Sequence, residues 1–389
     1  MWDMALTEEQ KEIRDLARRI AKEQIEPVRA ELDEKEEFPW AIMKVLAEAG
    51  LFGVYIPEEY GGFGKGIYEL CLVTEELSKV CGGVAVSYAA CGLGSYPIIL
   101  MGSEEQKKKY LPQIASGEKL AAFCITESGA GSDAGGIRTV ARKDGDYYYL
   151  TGTKQWITNG SVADIYTVIA LTDKSKGPRG ASAFIVEKDF PGLSYGKKEK
   201  KLGIRASSTT EVVLDECRVP KENLISREGM GFIVAMRTFD HTRPGVAAQA
   251  LGIAGGAFEY ALQYAHTRKQ FGKPISSFQA VNHMLADMAT QIEASRALIY
   301  STAQMIDAGK AKNISKLSAM CKLLASDTAM KVTTDAIQVL GGYGYMKDYP
   351  VEKMFRDAKI TQIYEGTNQI QRNVIASELI KEVVSEHKK

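Results

Sequence analysis

Apolar residues recur along the first third of the chain at three- and four-residue steps. Ile13, Leu16, Ala17 and Ile20 form one such stripe, and Thr7 with Gln10 ahead of it fits a capping box. Helical patterns follow around 40–50, 68–80 and 104–115, separated by breaks at Ile56-Pro57 and Gly61-Gly62. From about 121 the period shortens. Asp144-Gly145 is a hairpin signal between 139–143 and the 147–150 run, and 165–171, 182–186 and 211–214 are short β-rich segments. The loops between them are polar, and the lysine-rich 197–201 reads as a solvated turn.

After about 228 the helical period returns. Ser276 and Gln279 fit a second capping box, followed by a stripe of Met284, Leu285, Met288, Ile292, Ile299 and Ile306 that stops at Gly309. A second stripe carries Ile314, Leu317, Cys321, Leu324, Thr328 and Ile337 and stops at Gly341-Gly342. Helices that long and amphipathic require a bundle. The pattern predicts an α+β chain in three units: helical 1–120, β 121–227 and a helical bundle 228–389. No internal repeat or low-complexity tract interrupts it.

Composition narrows the function. A length of 389 residues calls for two or three packed units, and 45% hydrophobic with 25% charged residues is an ordinary globular balance. Forty-nine basic residues offset forty-nine acidic ones, so no global field recruits nucleic acid or an anionic membrane. No window reads as long and apolar enough to span a bilayer, and the N-terminus lacks signal- and transit-peptide character. Six scattered cysteines (Cys71, Cys81, Cys91, Cys124, Cys217, Cys321), without a C-x-x-C pair, read as reduced thiols. With only four histidines, no metal site is expected. The expected compartment is the cytoplasm.

Several segments carry candidate chemistry. In 123–133 glycines interleave with hydroxyl side chains, which lets a backbone approach a ligand and offer it donors; the spacing is not the G-x-G-x-x-G dinucleotide fingerprint. Trp156, at the end of a predicted strand, reads first as core packing and second as a wall for a flat aromatic ligand. Asp240 and Arg243 read as a helix salt bridge. Arg268 reads either as a dipole cap or as a diphosphate grip. Glu365, by itself, reads as a surface glutamate near a helix start.

Taken in order, ITESGAGSD (125–133), QWITNG (155–160), FDHTRP (239–244), RKQFGKPI (268–275), QVLGGYGY (338–345), YPVEKMFRDAKI (349–360) and YEGTNQIQR (364–372) resemble the acyl-CoA dehydrogenase family. Seven spaced matches cover nearly the whole chain. The resemblance implies an N-terminal helical domain, a central β-barrel-like domain and a C-terminal four-helix bundle, assembled as a homotetramer. FAD would lie between the β domain and the bundle, completed by a neighbouring subunit.

By the same resemblance, Phe123, Ile125, Thr126, Gly131 and Ser132 contact the flavin and ribityl region, with Trp156 and Thr158 flanking the ring. Arg268, Phe271, Phe278, Gln279, Gln338, Gly341 and Gly342 reach the diphosphate and adenine from the neighbour. Thr367 and Gln369 bind FAD beside the turn that carries Glu365. Ser132, Asp240, Arg243 and Gly366 contact the CoA thioester. Glu365 becomes the base that removes the α-proton, its own N–H facing the thioester oxygen, while the β-hydrogen leaves as hydride to flavin N5. Desolvation is expected to raise its pKa towards neutrality. Some members carry the base at the position of Thr242, which cannot act as one.

Ser87, Ala89, Ala90, Cys91 and Ser95 match a helix that lines the acyl end in relatives. Small side chains there fit either a wide pocket for a short- to medium-chain, branched or alicyclic acyl group, or close helix packing. An electron-transferring flavoprotein is the implied acceptor. Three rivals stand beside dehydrogenation: an enoyl-CoA reductase running in reverse, an acyl-CoA oxidase, and a flavin-binding scaffold without catalysis.

Overall fold

The computed structural model describes residues 6–311 and 313–386. The expectations placed on residues 1–5, on Lys312 and on 387–389 lie outside them.

Helices α1 (Glu8–Ile20), α2 (Arg29–Lys35), α3 (Trp40–Glu48), α4 (Ile67–Val80), α5 (Gly82–Met101) and α6 (Glu104–Ala115) form the first unit. The capping box that opens α1 is reciprocal: Gln10 N donates to Thr7 Oγ1 at 3.2 Å and Thr7 N to Gln10 Oε1 at 3.1 Å. Helix α5 shows no clear period because it is apolar on every side. Here the expectation that no window reaches bilayer length is corrected. Gly82–Met101 is 20 residues long and apolar enough to cross a membrane, yet 72% of its most apolar window is buried within the fold. It runs through the middle of the molecule against α4, the β unit and the C-terminal helices.

Strands β1 (Ala121–Cys124), β2 (Val140–Asp144), β3 (Tyr147–Thr158), β4 (Ile165–Leu171), β5 (Ala181–Glu187), β6 (Leu193–Lys198), β7 (Thr209–Pro220) and β8 (Leu224–Ile225) make one sheet. The order is β6-β7-β3-β2-β4-β5-β8, with β1 parallel on β4. Gly145, at φ 58°, turns β2 into β3. Side-chain alternation divides β4 between two cores. Tyr166, Val168 and Ala170 join Tyr148 and Phe184 inside the β unit, while Ile165 and Ile169 join the helical core. At α5, Gly94 lets the helix settle on the sheet, since a Cβ there would lie 2.6 Å from Ala122 N. The lysine run is only partly solvated. Lys197 and Lys198 end β6, but Lys201 is half-buried, with Nζ 2.7 Å from Ser207 O.

The third unit holds α7 (Gly231–Thr267), a short hairpin of β9 (Lys269–Gln270) and β10 (Lys273–Pro274), then α8 (Gln279–Asp307), α9 (Ile314–Leu340), α10 (Pro350–Ile360) and α11 (Asn368–Glu386). Helix α7 packs against α8 and α9 and also crosses α4. Gly252 and Gly256 allow that crossing, because Cβ atoms there would meet Glu75 O at 2.2 Å and Lys79 O at 2.0 Å. The second capping box does not form. Pro274 seeds a 3-10 turn over Ile275–Ser277, Ser277 Oγ donates back to Pro274 O at 2.7 Å, and α8 starts behind Phe278 without a side-chain cap.

Candidate active site

Three pieces of chain meet where the sheet faces the bundle. The middle of α7 brings Phe239, Thr242 and Arg243; β1 and the loop after it bring Phe123–Ser132; the turn between α10 and α11 brings Tyr364, Glu365 and Gly366. They enclose a cavity of about 480 Å³. Ten of the residues expected to hold FAD, the thioester or the α-proton line it: Phe123, Ile125, Thr126, Gly131, Ser132, Trp156, Thr158, Arg243, Glu365 and Gly366.

The turn itself is unusual backbone. Glu365 has φ 49° and Gly366 φ 91°, so two consecutive residues are left-handed. A Cβ on Gly366 would come within 2.7 Å of Gln371 Nε2. Hydrogen bonds from Tyr364 N to Ile360 O (3.1 Å) and from Asn368 N to Gln362 O (3.0 Å) close the loop on either side. Between them, the N–H groups of Glu365, Gly366 and Thr367 donate to nothing among the described residues. The carbonyls are held instead. Glu365 O accepts from Arg243 Nε (3.3 Å) and Gln371 Nε2 (3.1 Å); Gly366 O accepts from Gln371 Nε2 (2.9 Å) and Lys322 Nζ (2.8 Å).

The Glu365 carboxyl is half-buried and takes a 3.0 Å bond from Thr242 Oγ1. Burial pushes its pKa up to about 7, against the opposing pull of Arg243, Thr242 and Lys322. Lys322 is fully buried on α9, and burial pulls its pKa down to about 7. Arg243 also meets Asp240 at 3.4 Å and lies over the Phe239 ring. Glu365 lines the cavity, while Lys322 lies behind the turn, bonded to Gly366 O and Asn368 Oδ1.

Opposite this turn, Trp156 is 58% exposed with φ 56°, which overturns its reading as core packing. A register shift between Lys154 and Ile157 in the β3–β7 ladder is the cause: the bulge swings the indole off the sheet and into the cavity mouth. Gly129 and Gly131 face open space, where a Cβ would meet nothing within 4 Å. The Gly131 and Ser132 N–H groups donate to nothing among the described residues. Glu127 anchors the loop from beneath, accepting from Lys154 Nζ (2.7 Å), Thr139 Oγ1 (2.6 Å), Thr139 N (3.0 Å) and Arg138 N (2.7 Å). An exposed ring, an open glycine cradle and free main-chain donors suit a flat heteroaromatic cofactor.

The other candidates lie elsewhere. Arg268, Gly341 and Gly342 line a shallow surface cleft with Tyr343, and the Arg268 guanidinium sits 5.4 Å over that ring. Phe271 is 91% exposed at the β9–β10 turn, edge-on to Phe278; Gln279 and Gln338 are exposed too. Arg268 follows Arg243 along α7 by about 37 Å at 1.5 Å per residue. Asp240 lies behind Arg243, bonded to Ser315, in a separate cleft. Thr367 caps α11 by accepting from Ile370 N at 3.3 Å, and Gln369 is exposed; neither lines the cavity. On α5, Ala89 and Ala90 line it, whereas Ser87, Cys91 and Ser95 turn back onto their own helix.

Sequence reasoning missed four buried polar residues. Lys322 and Gln371 hold the turn. Asn159, with φ 62°, ties Ser87 O to the end of β3 at 2.9 Å. Gln249, on the cavity wall, donates to Gly82 O at 2.9 Å and accepts from the Tyr364 hydroxyl. A signal existed for two of them: Lys322 interrupts an apolar helix stripe, and Gln249 interrupts an Ala-rich one.

Family models for the acyl-CoA dehydrogenase N-terminal, middle and C-terminal domains match residues 7–118, 122–217 and 229–380. A short-chain-specific acyl-CoA dehydrogenase of Clostridium acetobutylicum is 48% identical, over 97% of this chain and all of its own. An acryloyl-CoA reductase (NADH) of Anaerotignum propionicum is 47% identical, over 97% of this chain and 96% of its own. Among solved structures, butyryl-CoA dehydrogenase from Megasphaera elsdenii superimposes with a TM-score of 0.94 at 46% identity, covering 96% of this chain and 99% of its own. A chain from work on the electron transferring flavoprotein of Acidaminococcus fermentans also gives 0.94, at 50% identity, covering 96% and 98%. An acyl-CoA dehydrogenase complexed with FAD, from Bacillus anthracis, gives 0.92 at 37% identity, covering 98% of this chain and 68% of its own. The chain belongs to the acyl-CoA dehydrogenase family, FAD-dependent oxidoreductases whose three domains it carries in full order.

Proposed function

We propose that this protein removes the α- and β-hydrogens of a short acyl-CoA thioester, with Glu365 as the base. The observation that carries the reading is the Glu365 carboxyl at the head of an apolar cavity, with its pKa raised to about 7. A thioester α-proton is weakly acidic, so it needs a base active near neutrality and donors for the developing enolate oxygen. The free Glu365 N–H is one such donor, because the carbonyls that follow it are occupied by Arg243, Gln371 and Lys322. Thr242 Oγ1 orients the carboxylate oxygen it touches, leaving the other to accept the proton. FAD, when bound, supplies the acceptor for the β-hydride. Phe123, Ile125, Thr126, Gly131, Ser132, Trp156 and Thr158 would hold its ring system.

Acyl length follows from the cavity wall. Ala89, Ala90 and Gly245 give width, while the Gln249–Tyr364 pair places a fixed polar barrier beside the catalytic turn. That width suits a short- to medium-chain acyl group, branched or alicyclic chains included. A ladder of acyl-CoAs from acetyl to lauroyl, with isobutyryl and cyclohexanoyl members, tests it; a maximum above eight carbons contradicts it.

The spacing of about 37 Å along α7 keeps Arg268 away from this chain's own cavity, which supports the reading that the Arg268–Phe278 hairpin and Gln338–Gly342 serve a neighbour's cofactor site in a homotetramer. Leu379, Ile380, Val383 and Val384 expose a continuous apolar face on α11 that suits the same assembly. An electron-transferring flavoprotein as redox partner, and a cytoplasmic location, complete the proposal. The similarity to an acryloyl-CoA reductase favours one second reading, saturation of a 2-enoyl-CoA by the same residues in reverse. Anaerobic titration decides between them and a silent scaffold. The yellow protein bleaches on adding butyryl-CoA if it dehydrogenates, and the dithionite-reduced protein regains colour on adding crotonyl-CoA with the larger driving force if it reduces. If no thioester in the ladder changes the flavin spectrum, both readings fall.

A further inference from the structure

The catalytic turn is held by a side chain outside the motif that names it. Lys322 enters from α9, with no exposed surface, and its ammonium reaches Gly366 O and Asn368 Oδ1, both at 2.8 Å. Asn368 is fixed in turn: its Nδ2 donates to Ser326 Oγ (2.8 Å) and Asp327 Oδ1 (2.7 Å). Asp327 also accepts from Gln362 Nε2 at 2.7 Å and from Arg372 at 3.1 Å, so both ends of the turn are tied to one face of α9.

A buried lysine is expensive, and helix α9 would pack as well with an apolar residue here. Its donors go to the C-terminal side of a doubly left-handed bend, to the Gly366 carbonyl and to the Asn368 side chain that follows it. A trans peptide points its N–H opposite its C=O, so a fixed Gly366 carbonyl fixes the Gly366–Thr367 plane. Gln371 and Arg243 fix the Glu365–Gly366 plane in the same way. With both planes set, the φ and ψ of Gly366 are fixed, and the Glu365–Gly366 plane holds the Cα that carries the carboxylate.

We infer that Lys322 is a positioning residue for the reaction, clamping the Glu365-Gly366 turn from α9 so that the carboxylate and the Glu365 N–H keep their productive geometry. The inference rests on Glu365 being the base. The charged groups that face this pair are Arg243 and Asp240 from α7, Asp327 from α9 and Glu365 itself; Thr242 and Tyr364 complete the surroundings.

The test uses flavin-loaded protein and three variants. Lys322→Met keeps the length and removes donors and charge; Lys322→Arg keeps both; Glu365→Gln is the control for the underlying reading. Lys322→Met is expected to retain its flavin and bind butyryl-CoA with KM within threefold, while kcat falls about 100-fold, the scale of a base misplaced by an ångström. Its kcat/KM profile should also move its acid limb to higher pH, since a cation that favours ionised Glu365 is gone. Lys322→Arg should recover at least tenfold of the lost kcat. A packing role would lower stability and leave the pH profile where it was. If Lys322→Met fails to load flavin, Lys322→Gln, which keeps a donor without charge, must show the same shift of the acid limb. A loaded variant with kcat within threefold of the parent and an unmoved profile overturns the inference while Glu365→Gln is inactive. Turnover by Glu365→Gln would instead overturn the base assignment beneath it.

Discussion

The turn at Glu365 and the hairpin tip at Phe271 each hold a non-glycine residue in left-handed backbone, with a left-handed glycine next in sequence. They are stabilised in opposite ways. Around Glu365 three buried donors from α7, α9 and α11 take the two carbonyls, and the side chain looks into an enclosed cavity. Around Phe271 the ring is 91% exposed, and a Cβ added to Gly272 would meet nothing within 4 Å. Strain over-determined by neighbours is a finished device; strain displayed at a surface gains its support from whatever covers it. Within one chain, then, the proposed base sits in a fully built surround, while the Phe271 region presents an open surface of the kind the proposed neighbouring subunit would cover.

That contrast can be broken first by charge removal. Arg243→Leu leaves Asp240 without its partner in a largely buried site, and should cost about 3 kcal/mol in denaturant unfolding. Arg268→Leu, on the exposed cleft, should cost under about 0.5 kcal/mol. Equal costs would erase the distinction. Next in size is the glycine pair. Gly366→Ala brings a methyl to 2.7 Å from Gln371 Nε2 at φ 91° and should store roughly 1–3 kcal/mol, seen as a lower kcat. Gly272→Ala, at φ 79° in open space, should leave kcat within twofold.

Phe271→Ala should weaken flavin retention about tenfold, roughly 1.4 kcal/mol, with the kcat of the loaded fraction unchanged. Equilibrium dialysis of FAD reads the first and flavin-normalised turnover the second. The smallest effect is thermal. Folding raises the Glu365 pKa from 4.5 to about 7, so the native state holds a proton that the unfolded chain releases. That contribution to stability is whole below pH 4.5 and is lost as pH rises through 7. Glu365→Gln should therefore melt above the parent by a margin that widens from pH 4.5 to 7 and then stays level. The kcat/KM of the parent should rise across the same window, because the base must be ionised.

How far these regions were legible in the sequence depends on what each signal measured. Period changes at 121 and 228 separated helices from strands because burial on one face imposes a repeat of 3.6 or 2. Helix α5 escaped, since a segment covered on all sides has no polar face to mark its period. The Ser276–Gln279 box failed because Pro274 offered those serines a tighter turn. From local pattern Trp156 read first as core packing for want of the bulge, which no spacing rule reveals. Glu365 was singled out through the motif around it, yet Lys322, Gln371 and Gln249 were not, because long-range clamps join residues that are distant in sequence. Lys322 and Gln249 stood out only as polar side chains inside apolar helix faces, and Gln371, in a polar stretch, did not stand out at all.

The role of Glu365 as the base is tested most directly by single-turnover bleaching. Parent and Glu365→Gln proteins, both carrying FAD, are mixed anaerobically with saturating butyryl-CoA at pH 8 and followed at the flavin absorption maximum. The parent should bleach to product, while the variant binds the thioester and bleaches at least 100-fold more slowly, the minimum expected of a lost general base. Bleaching by Glu365→Gln within tenfold of the parent rate would contradict the assignment.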